Sequence, residues 1–263
     1  MPDWTEPVFV ENRQAINGPF GPLSNSLMLQ VLGNPRGTYS QQCQPVTNLR
    51  IRRLIVTEDV GPFRVTGLAP AVASLRDILR EVKEKHRTIH DQLGSAGMLC
   101  CRYVRGSNTS ISNHSWGCAI DLTIAGKLDF RGDGKVQRGL KEIFPIFHKH
   151  RWFWGAAFRT EDAMHFEVSR QLLLEWQAAG RLGDAPAVAA ADNNVIDLGD
   201  RGPAVKDLQR RINILTGAGI DEDGVFGPAT RAALIAFQNA QALRPTGFVD
   251  DATRDALDEV QPV

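Results

Sequence analysis

A half-buried strand is predicted in Ser112-Asn-His-Ser-Trp-Gly-Cys-Ala-Ile-Asp-Leu-Thr-Ile124. From Cys118 onward, apolar side chains alternate with small or polar ones, and this period of two is typical of a strand with one face in a core. Asp121 falls on the face opposite the apolar one. A carboxylate is unusual in such a strand, because burying it without a partner is costly.

A second strand is predicted in Thr160-Glu-Asp-Ala-Met-His-Phe-Glu-Val168. Its apolar face consists of Met164, Phe166 and Val168, so the intervening His165 and Glu167 point the other way. If the two strands lie side by side, Asp121 and His165 share one face. His114 then reaches that face from the loop before the first strand.

Around these segments the sequence predicts helices and strands in mixed order. Because no regular βαβ alternation is present, we predict an α+β fold with a small antiparallel sheet and flanking helices. The other predicted elements are strands within 49–66, a helix from Ala71 to Lys85, a strand from Met98 to Val104, a helix from Val136 to His148 and a helix capped by Ser169.

The charge distribution divides the chain. Its 263 residues carry 30 basic and 30 acidic side chains, but residues 1–185 hold 23 basic and 18 acidic ones, and residues 186–263 hold 7 and 12. The sign changes within a stretch rich in Gly, Ala and Asn that has no amphipathic period, which indicates a domain boundary. We predict a first domain over 1–182, a linker over 183–194 and a second domain over 195–263.

The second predicted domain contains an internal repeat. Residues 223–234 align with residues 246–257, and each copy has a glycine turn, a short apolar pair and the start of a helix. We predict a bundle of about three short helices. Its separated motifs, in chain order, are Leu198-Gly-Asp-Arg-Gly202, Val205 with Leu208-Gln209, Asp223-Gly-Val-Phe-Gly227 with Thr230, and Phe237-Gln238. Over about 192–260 the chain thereby resembles the peptidoglycan-binding domain of many cell-wall hydrolases, which implies peptidoglycan as a partner.

The polar face of the two predicted strands has the composition of a metal site. His114, Asp121 and His165 are a three-ligand set for one catalytic Zn²⁺, with a fourth position left for water. Zinc lowers the pKa of such a water to about 7, which makes it a nucleophile at neutral pH. Asp162, three residues before His165, is the predicted general base, and Glu161 competes for that role. Glu167 is interpreted as a supporting or structural residue.

These motifs carry a second resemblance. The pattern S-x-H-x-x-G-x-A-x-D from Ser112 to Asp121, followed by D-x-x-H from Asp162 to His165, is similar to the VanY-type D-alanyl-D-alanine carboxypeptidases. That family of zinc peptidases includes the L-alanyl-D-glutamate endopeptidases of phage lysis enzymes. The resemblance covers about 94–168 and implies that His114, Asp121 and His165 bind zinc and that Asp162 is the base.

The resemblance also implies an arginine that stabilises the oxyanion or holds the substrate carbonyl. Arg102 is the first choice and Arg105 the second, with a salt bridge as the alternative for either. Ser112 is interpreted as a donor that orients a ligand. Trp154 is interpreted as a wall of the substrate pocket, although core packing explains it equally well.

Together these features predict a two-domain, zinc-dependent peptidoglycan hydrolase of the endolysin type. It would act as an L-Ala–D-Glu endopeptidase or a D-Ala–D-Ala carboxypeptidase. The alternative is a non-catalytic peptidoglycan-binding or adhesion protein that keeps the peptidase fold. A binding protein has no use for an open zinc position, so the residue set favours the enzyme.

Composition narrows the remaining possibilities. No run of about 18 apolar residues is present, and no signal-peptide pattern is found at the N-terminus. We expect a monomer that is made in the cytoplasm and acts on the wall after release by a lysis factor or by non-standard export, with no nucleic acid as a partner and no membrane insertion. The four cysteines are not spaced like those of a disulfide framework, so we expect them to be reduced thiols.

Overall fold

The computed structural model describes residues 2–183, 196, 200–243, 245–249 and 251–259. The chain forms two compact units, Met1–Ala187 and Val188–Val263. All of the predicted linker except Gly183 lies outside the described residues, as do Leu198 and Gly199 of the first binding-domain motif. Among the described helices, none has the length and apolar character that crossing a membrane requires.

The first unit contains all eight described strands, six α-helices and three short 3₁₀ turns. The strands are β1 (Pro7–Phe9), β2 (Ile55–Asp59), β3 (Arg64–Leu68), β4 (Leu93–Gly97), β5 (Ala119–Ile124), β6 (Lys135–Gln137), β7 (Trp152–Trp154) and β8 (His165–Val168). The helices are α1 (Asn25–Leu32), α2 (Leu49–Leu54), α3 (Ala69–Lys85), α4 (Arg87–His90), α5 (Arg138–Lys149) and α6 (Arg170–Ala178). The 3₁₀ turns are Arg13–Ala15, Asn113–Trp116 and Gly155–Ala157.

A four-stranded antiparallel sheet in the order β4-β5-β8-β7 organises the first unit. The predicted neighbours β5 and β8 pair with Asp121 opposite His165. Directly opposed residues lie on the same face of a sheet, so the predicted juxtaposition of these two side chains is confirmed. Together with the flanking helices and the two smaller two-stranded sheets, this confirms the α+β class.

The apolar faces of these elements form one core. The predicted helices over 71–85 and 136–148 are present as α3 and α5, and the predicted cap at Ser169 accepts a hydrogen bond from Leu172 N at 3.2 Å. Behind β8, the ring of Phe166 lies 4.2 Å from that of Phe147. The sheet therefore has a packed rear face, which keeps the site strands rigid on the other side.

The prediction of strands over 49–66 is wrong at its start. Residues Leu49–Leu54 form α2, and strands begin only at Ile55. The side chain of Asn48 accepts hydrogen bonds from Arg50 N at 3.0 Å and Ile51 N at 3.3 Å. This N-cap satisfies the first donors of a helix and outweighs the strand-like alternation of the apolar residues.

The prediction of a strand from Met98 to Val104 is also wrong. The strand in this region, β4, ends at Gly97, and the following segment makes only single bridges, from Cys101 to Gln44 and from Tyr103 to Ile111. The segment pairs with two different partners, so no continuous ladder forms.

A disulfide joins Cys43 to Cys100, whose Cα atoms are 5.0 Å apart, while Cys101 and Cys118 are buried free thiols. The expectation of four reduced cysteines is therefore wrong for the first pair. Adjacent residues seldom bridge each other, but Cys43 comes from a distant loop that the bridge between Gln44 and Cys101 brings alongside.

Breaking this disulfide should destabilise the first unit. The two cysteines are 57 residues apart in sequence, and a loop of that size constrains the unfolded chain by about 4 kcal/mol. We expect the Cys43→Ser/Cys100→Ser double variant to lose about that much free energy of unfolding in a denaturant titration. A reducing agent should bring the wild type to the same midpoint and leave the double variant unchanged. Equal stability of the oxidised wild type and the double variant would contradict this expectation.

The second unit contains three described helices, α7 (Pro203–Thr216), α8 (Pro228–Ala240) and α9 (Asp251–Glu259). A buried glutamine explains the sequence repeat, because Gln209 accepts from Gly224 N at 2.8 Å and donates to Thr230 Oγ1 at 3.1 Å. The same contacts recur in the second copy at 2.9 and 3.0 Å, made by Gln238, Gly247 and Thr253. Each glutamine thus ties a glycine turn to the helix that follows it.

Candidate active site

Three elements carry the predicted metal ligands to one place. Asp121 lies in the middle of β5, His165 begins β8, and His114 lies in the 3₁₀ turn Asn113–Trp116 just before β5. Gly117 ends that turn at φ +68°, and a Cβ atom there would lie 2.6 Å from Leu68 N. Both the left-handed backbone and this close approach require glycine, which explains the glycine of the motif.

The three inward-facing ligand atoms form a nearly equilateral triangle. His114 Nε2 lies 3.2 Å from Asp121 Oδ1 and 3.3 Å from His165 Nδ1, and His165 Nδ1 lies 3.2 Å from Asp121 Oδ1. Both histidines are buried, whereas the Asp121 side chain keeps 22% of its surface exposed. The triangle is therefore enclosed on the protein side and accessible beside Asp121.

The other nitrogen of each histidine has its own acceptor. His114 Nδ1 lies 3.2 Å from the Met98 carbonyl, and His165 Nε2 lies 2.9 Å from Glu167 Oε2. If each of these nitrogens donates its proton outward, the two inward nitrogens present lone pairs to the Asp121 oxygen. Three converging lone pairs repel one another unless a cation lies between them.

The donor set fits a tetrahedral divalent cation such as zinc. Metal–ligand bonds of 2.0–2.1 Å at tetrahedral angles place ligand atoms about 3.3–3.4 Å apart, close to the edges of this triangle. The electrostatics also favour positive charge. Burial alone would raise the pKa of Asp121, but His114 and His165 hold it well below its usual range. Burial would lower the pKa of His165, but hydrogen bonds to Asp121 and Glu167 raise it.

Glu167 supports His165 from the interior. It has no exposed surface, and its carboxylate accepts hydrogen bonds from Leu23 N at 2.8 Å and from Asn113 Nδ2 at 2.8 Å as well as facing His165. Leu23 and Asn113 come from outside the two site strands, so neither motif alone could predict this cluster. The side chain thus holds the imidazole in place and links the N-terminal segment to the site.

Asp162 lies beside the triangle without being part of it. Its backbone nitrogen donates to Gly155 O at 3.1 Å, and its carbonyl accepts from His165 N at 3.1 Å. A Cβ on Gly155 would lie 2.6 Å from Asp162 O and 3.1 Å from His165 Cβ, so only glycine permits this approach. Burial is the main cause that raises the pKa of the Asp162 carboxyl. The charge of His165 lowers this pKa, and the charge of Asp121 raises it.

Glu161, the other candidate for the general base, has both carboxylate oxygens hydrogen-bonded to backbone nitrogens. Its Oε1 accepts from Ala163 N at 2.7 Å and its Oε2 accepts from Gly132 N at 3.0 Å, and only 1% of the residue is exposed. A carboxylate held in this way stabilises the loop before His165 and is buried from solvent. The geometry favours Asp162 over Glu161 as a base.

The two predicted arginines differ in placement. Arg102 is half-buried, donates to Tyr103 O at 3.0 Å, and has its pKa lowered mainly by burial. The charges of Asp121 and Asp162 raise the pKa of Arg102, so this arginine lies within electrostatic range of the site. Arg105 is exposed. Arg102 is thus the better placed of the two to act on a bound substrate.

Two further predicted residues occupy supporting positions. Ser112 is buried and donates from its backbone nitrogen to Arg102 O at 3.0 Å, while its role as a donor to a ligand stays a prediction. Trp154 has no exposed surface, and its Nε1 donates to Ala163 O at 2.7 Å. Its ring is stacked on Phe166 with centroids 5.7 Å apart. Trp154 therefore stabilises the loop before His165 from within the core and does not line a pocket.

Arg131 also lies at the site, although its position could not be inferred from the sequence. Its Nε lies 3.1 Å from Asp162 Oδ2, with 41% of the arginine side chain and 22% of the aspartate side chain exposed. It belongs to the loop between β5 and β6, about thirty residues from Asp162 in sequence. No local motif includes Arg131, so only the folded chain reveals the pair.

Two segments of the chain match families of known proteins. Residues 105–168 match the D-alanyl-D-alanine carboxypeptidase family. Residues 201–257 match the peptidoglycan binding domain family. The two resemblances described from the sequence are thereby confirmed for these segments. The first segment contains Arg105 and all three triangle residues, and Arg102 lies just before it.

Two curated relatives match parts of the chain. The zinc D-Ala-D-Ala carboxypeptidase of Streptomyces albus G is 37% identical over 89 residues, which cover 29% of this chain and 35% of the relative. An uncharacterized protein from the bpoA1 3′ region of Kitasatospora aureofaciens is 47% identical over 60 residues, which cover 22% of this chain and 51% of the relative. The chain therefore spans about a third to a half of the length of these relatives. No solved structure matches the chain significantly.

Proposed function

We propose that this protein is a zinc-dependent peptidoglycan hydrolase that cleaves the cell-wall peptide stem next to a D-amino acid. The observation that carries the proposal is the triangle of His114, Asp121 and His165 atoms with edges of 3.2–3.3 Å. The match of residues 105–168 to D-alanyl-D-alanine carboxypeptidases supports the substrate class. A purely adhesive protein would not need three ligands around an accessible fourth position.

The surrounding residues supply the proton transfers and the charge stabilisation. A zinc ion at the triangle supplies Lewis-acid chemistry, which activates water at neutral pH. Asp162, with its pKa raised by burial, accepts a proton during attack and returns it to the leaving amine. Arg102 stabilises the negative charge that develops on the substrate carbonyl oxygen. Glu167 and the Met98 carbonyl keep the two imidazoles oriented.

The scissile bond has two candidates within this function. A carboxypeptidase removes the terminal D-Ala, whereas an endopeptidase cuts between L-Ala and D-Glu. Mass spectrometry of muropeptides after digestion distinguishes them, because the first reaction removes one alanine and the second releases the stem. If zinc-loaded protein leaves all muropeptides unchanged, the enzymatic proposal fails and the adhesive alternative gains support.

The second unit acts in this proposal as a wall-binding module. Its match to the peptidoglycan binding domain family supports peptidoglycan as the partner. Tethering such a module to the peptidase raises the local concentration of an insoluble substrate at the site. We place the site of action at the cell wall, outside the reducing cytoplasm. The disulfide between Cys43 and Cys100 supports this location, because disulfides persist mainly in oxidising compartments.

Replacing the Glu167 carboxylate should weaken zinc binding at the proposed metal site. In Glu167→Gln an amide replaces a carboxylate that faces donors from Leu23, Asn113 and His165. We expect zinc affinity to fall by about 10–100-fold, as is typical when a partner of a ligating histidine is removed. Competition with a chromophoric chelator measures it.

Glu175→Gln is the matched control for this variant, since Glu175 pairs with Arg151 on the surface. It should leave zinc affinity unchanged. An unaltered zinc affinity in Glu167→Gln would show that the carboxylate has only a packing role.

A further inference from the structure

Arg131 lies at the edge of the proposed active site, and no described residue accepts a hydrogen bond from its terminal nitrogens. Its Nε is the atom that pairs with Asp162 Oδ2, at 3.1 Å, and its side chain is 41% exposed. A guanidinium has five N–H donors in a planar fork. Nε is the closest of these nitrogens to Asp162, and the side chain is partly exposed, so the two terminal nitrogens are available to pair with a carboxylate of a bound ligand.

The loop that carries Arg131 is fastened to the loop that carries Asp162. The next residue, Gly132, donates from its backbone nitrogen to Glu161 Oε2 at 3.0 Å, and Glu161 also accepts from Ala163 N at 2.7 Å. The buried Glu161 carboxylate therefore clamps both loops together. This clamp holds the backbone next to Arg131 close to the loop of Asp162, and the ion pair with Asp162 orients the side chain.

Several arginine charges lie close to the proposed active site. Besides burial, the charges of Arg105 and Arg131 lower the pKa of Arg102. Those of Asp121 and Asp162 raise it. Arg105 and Arg131 thus each lie within electrostatic range of Arg102, near the metal triangle. Like charges gathered in this way repel one another, and a bound anion relieves that repulsion.

We propose that Arg131 is a substrate-binding residue that recognises a free carboxylate of the peptide close to the scissile bond. This inference rests on the proposed function, because the stem peptide supplies such a carboxylate from two sources. One is the terminal carboxylate of D-Ala, and the other is the α-carboxylate of D-Glu. Arg131 contributes the fork, and Asp162 holds the fork in place through Nε.

The test compares peptides with and without each carboxylate. The probes are the peptide L-Ala-γ-D-Glu-L-Lys-D-Ala-D-Ala, its C-terminal amide and its D-isoglutamine form. For the wild type, we expect KM to be about tenfold or more lower for the form that keeps the recognised carboxylate, since a hydrogen-bonded charge is lost in the amide. In Arg131→Gln that preference should disappear, and Arg131→Lys should restore only part of it because it lacks the fork.

Controls separate substrate binding from effects on the base. Arg80→Gln, which removes an exposed arginine paired with Asp77, should behave as the wild type. Loss of preference for the C-terminal acid assigns the terminal D-Ala carboxylate, and loss of preference for D-Glu over D-isoglutamine assigns the other source. If Arg131→Gln changes kcat or KM equally for all three peptides, Arg131 only positions Asp162 and the inference is overturned.

A binding measurement keeps this inference distinct from the proposed function. Calorimetric titration of the three peptides into chelator-treated protein requires no turnover, and it should show the same preference in the wild type and its loss in Arg131→Gln. If zinc-loaded wild type cleaves nothing but the binding preference depends on Arg131, the proposed function fails and the inference stands. If the wild type binds acid and amide peptides equally, the inference fails whatever the activity.

Discussion

Replacing His114 with alanine should remove both the bound zinc and the peptidase activity. His114 Nε2 forms two of the three edges of the ligand triangle, and its Nδ1 is fixed by the Met98 carbonyl. An aspartate and one histidine are too few ligands to hold zinc at the concentrations found in a purified sample. We expect turnover on the stem peptide to fall by about 10³-fold or more, because the metal contributes several kcal/mol to the transition state.

Elemental analysis of the purified variant and a peptide-release assay check this expectation together. His86→Ala is the matched control, because His86 lies at the end of α3 outside the triangle. It should keep one zinc per chain and full turnover. A His114→Ala protein that is folded and still binds zinc tightly would show that the metal lies elsewhere.

Replacing Asp162 with asparagine should separate zinc binding from catalysis. Asp162 is not a member of the His114, Asp121 and His165 group, so the zinc content should stay at that of the wild type. Turnover should fall by about 10²–10⁴-fold, the usual contribution of a general base. Asparagine preserves the shape of the side chain, and the backbone contacts to Gly155 and His165 do not depend on the carboxylate.

Two outcomes would contradict the assignment of Asp162. Near-native turnover in Asp162→Asn would reject it as the base, and loss of zinc would make it a ligand. Asp77→Asn removes an exposed carboxylate that pairs with Arg80 on α3 and should leave both properties unchanged. Thermal unfolding of each variant shows whether any loss of turnover reflects a loss of folded protein.

The parts of the site that could be predicted from the sequence are those that local periodicity determines. Alternation along two short segments is sufficient to place Asp121 and His165 on one face, because side chains in a strand have a period of two. Their direct opposition in the register of β5 and β8 follows from that pattern once the strands pair. Helix α3 could be predicted for the same reason, since its apolar positions repeat with helical spacing.

The parts that could not be predicted depend on contacts between segments distant in sequence. The supporting role of Glu167 is predicted from the sequence, but its partners Leu23 N and Asn113 Nδ2 appear only in the folded chain. The ion pair of Arg131 with Asp162 likewise depends on how two loops meet. The Cys43–Cys100 disulfide joins segments that no local pattern brings together. The helix at Leu49–Leu54 is a local exception, because the side-chain cap at Asn48 opposes an apparent strand alternation.

A zinc titration of metal-free protein shows whether peptidoglycan cleavage by this chain depends on one bound zinc. Chelator-treated protein would receive increasing zinc while bound metal and release of D-Ala or stem peptide from purified peptidoglycan are measured in the same samples. We expect one zinc to bind per chain and activity to rise in proportion to bound zinc until one equivalent is reached. Activity that is independent of zinc, or stoichiometric zinc binding without any peptide release, would contradict this expectation.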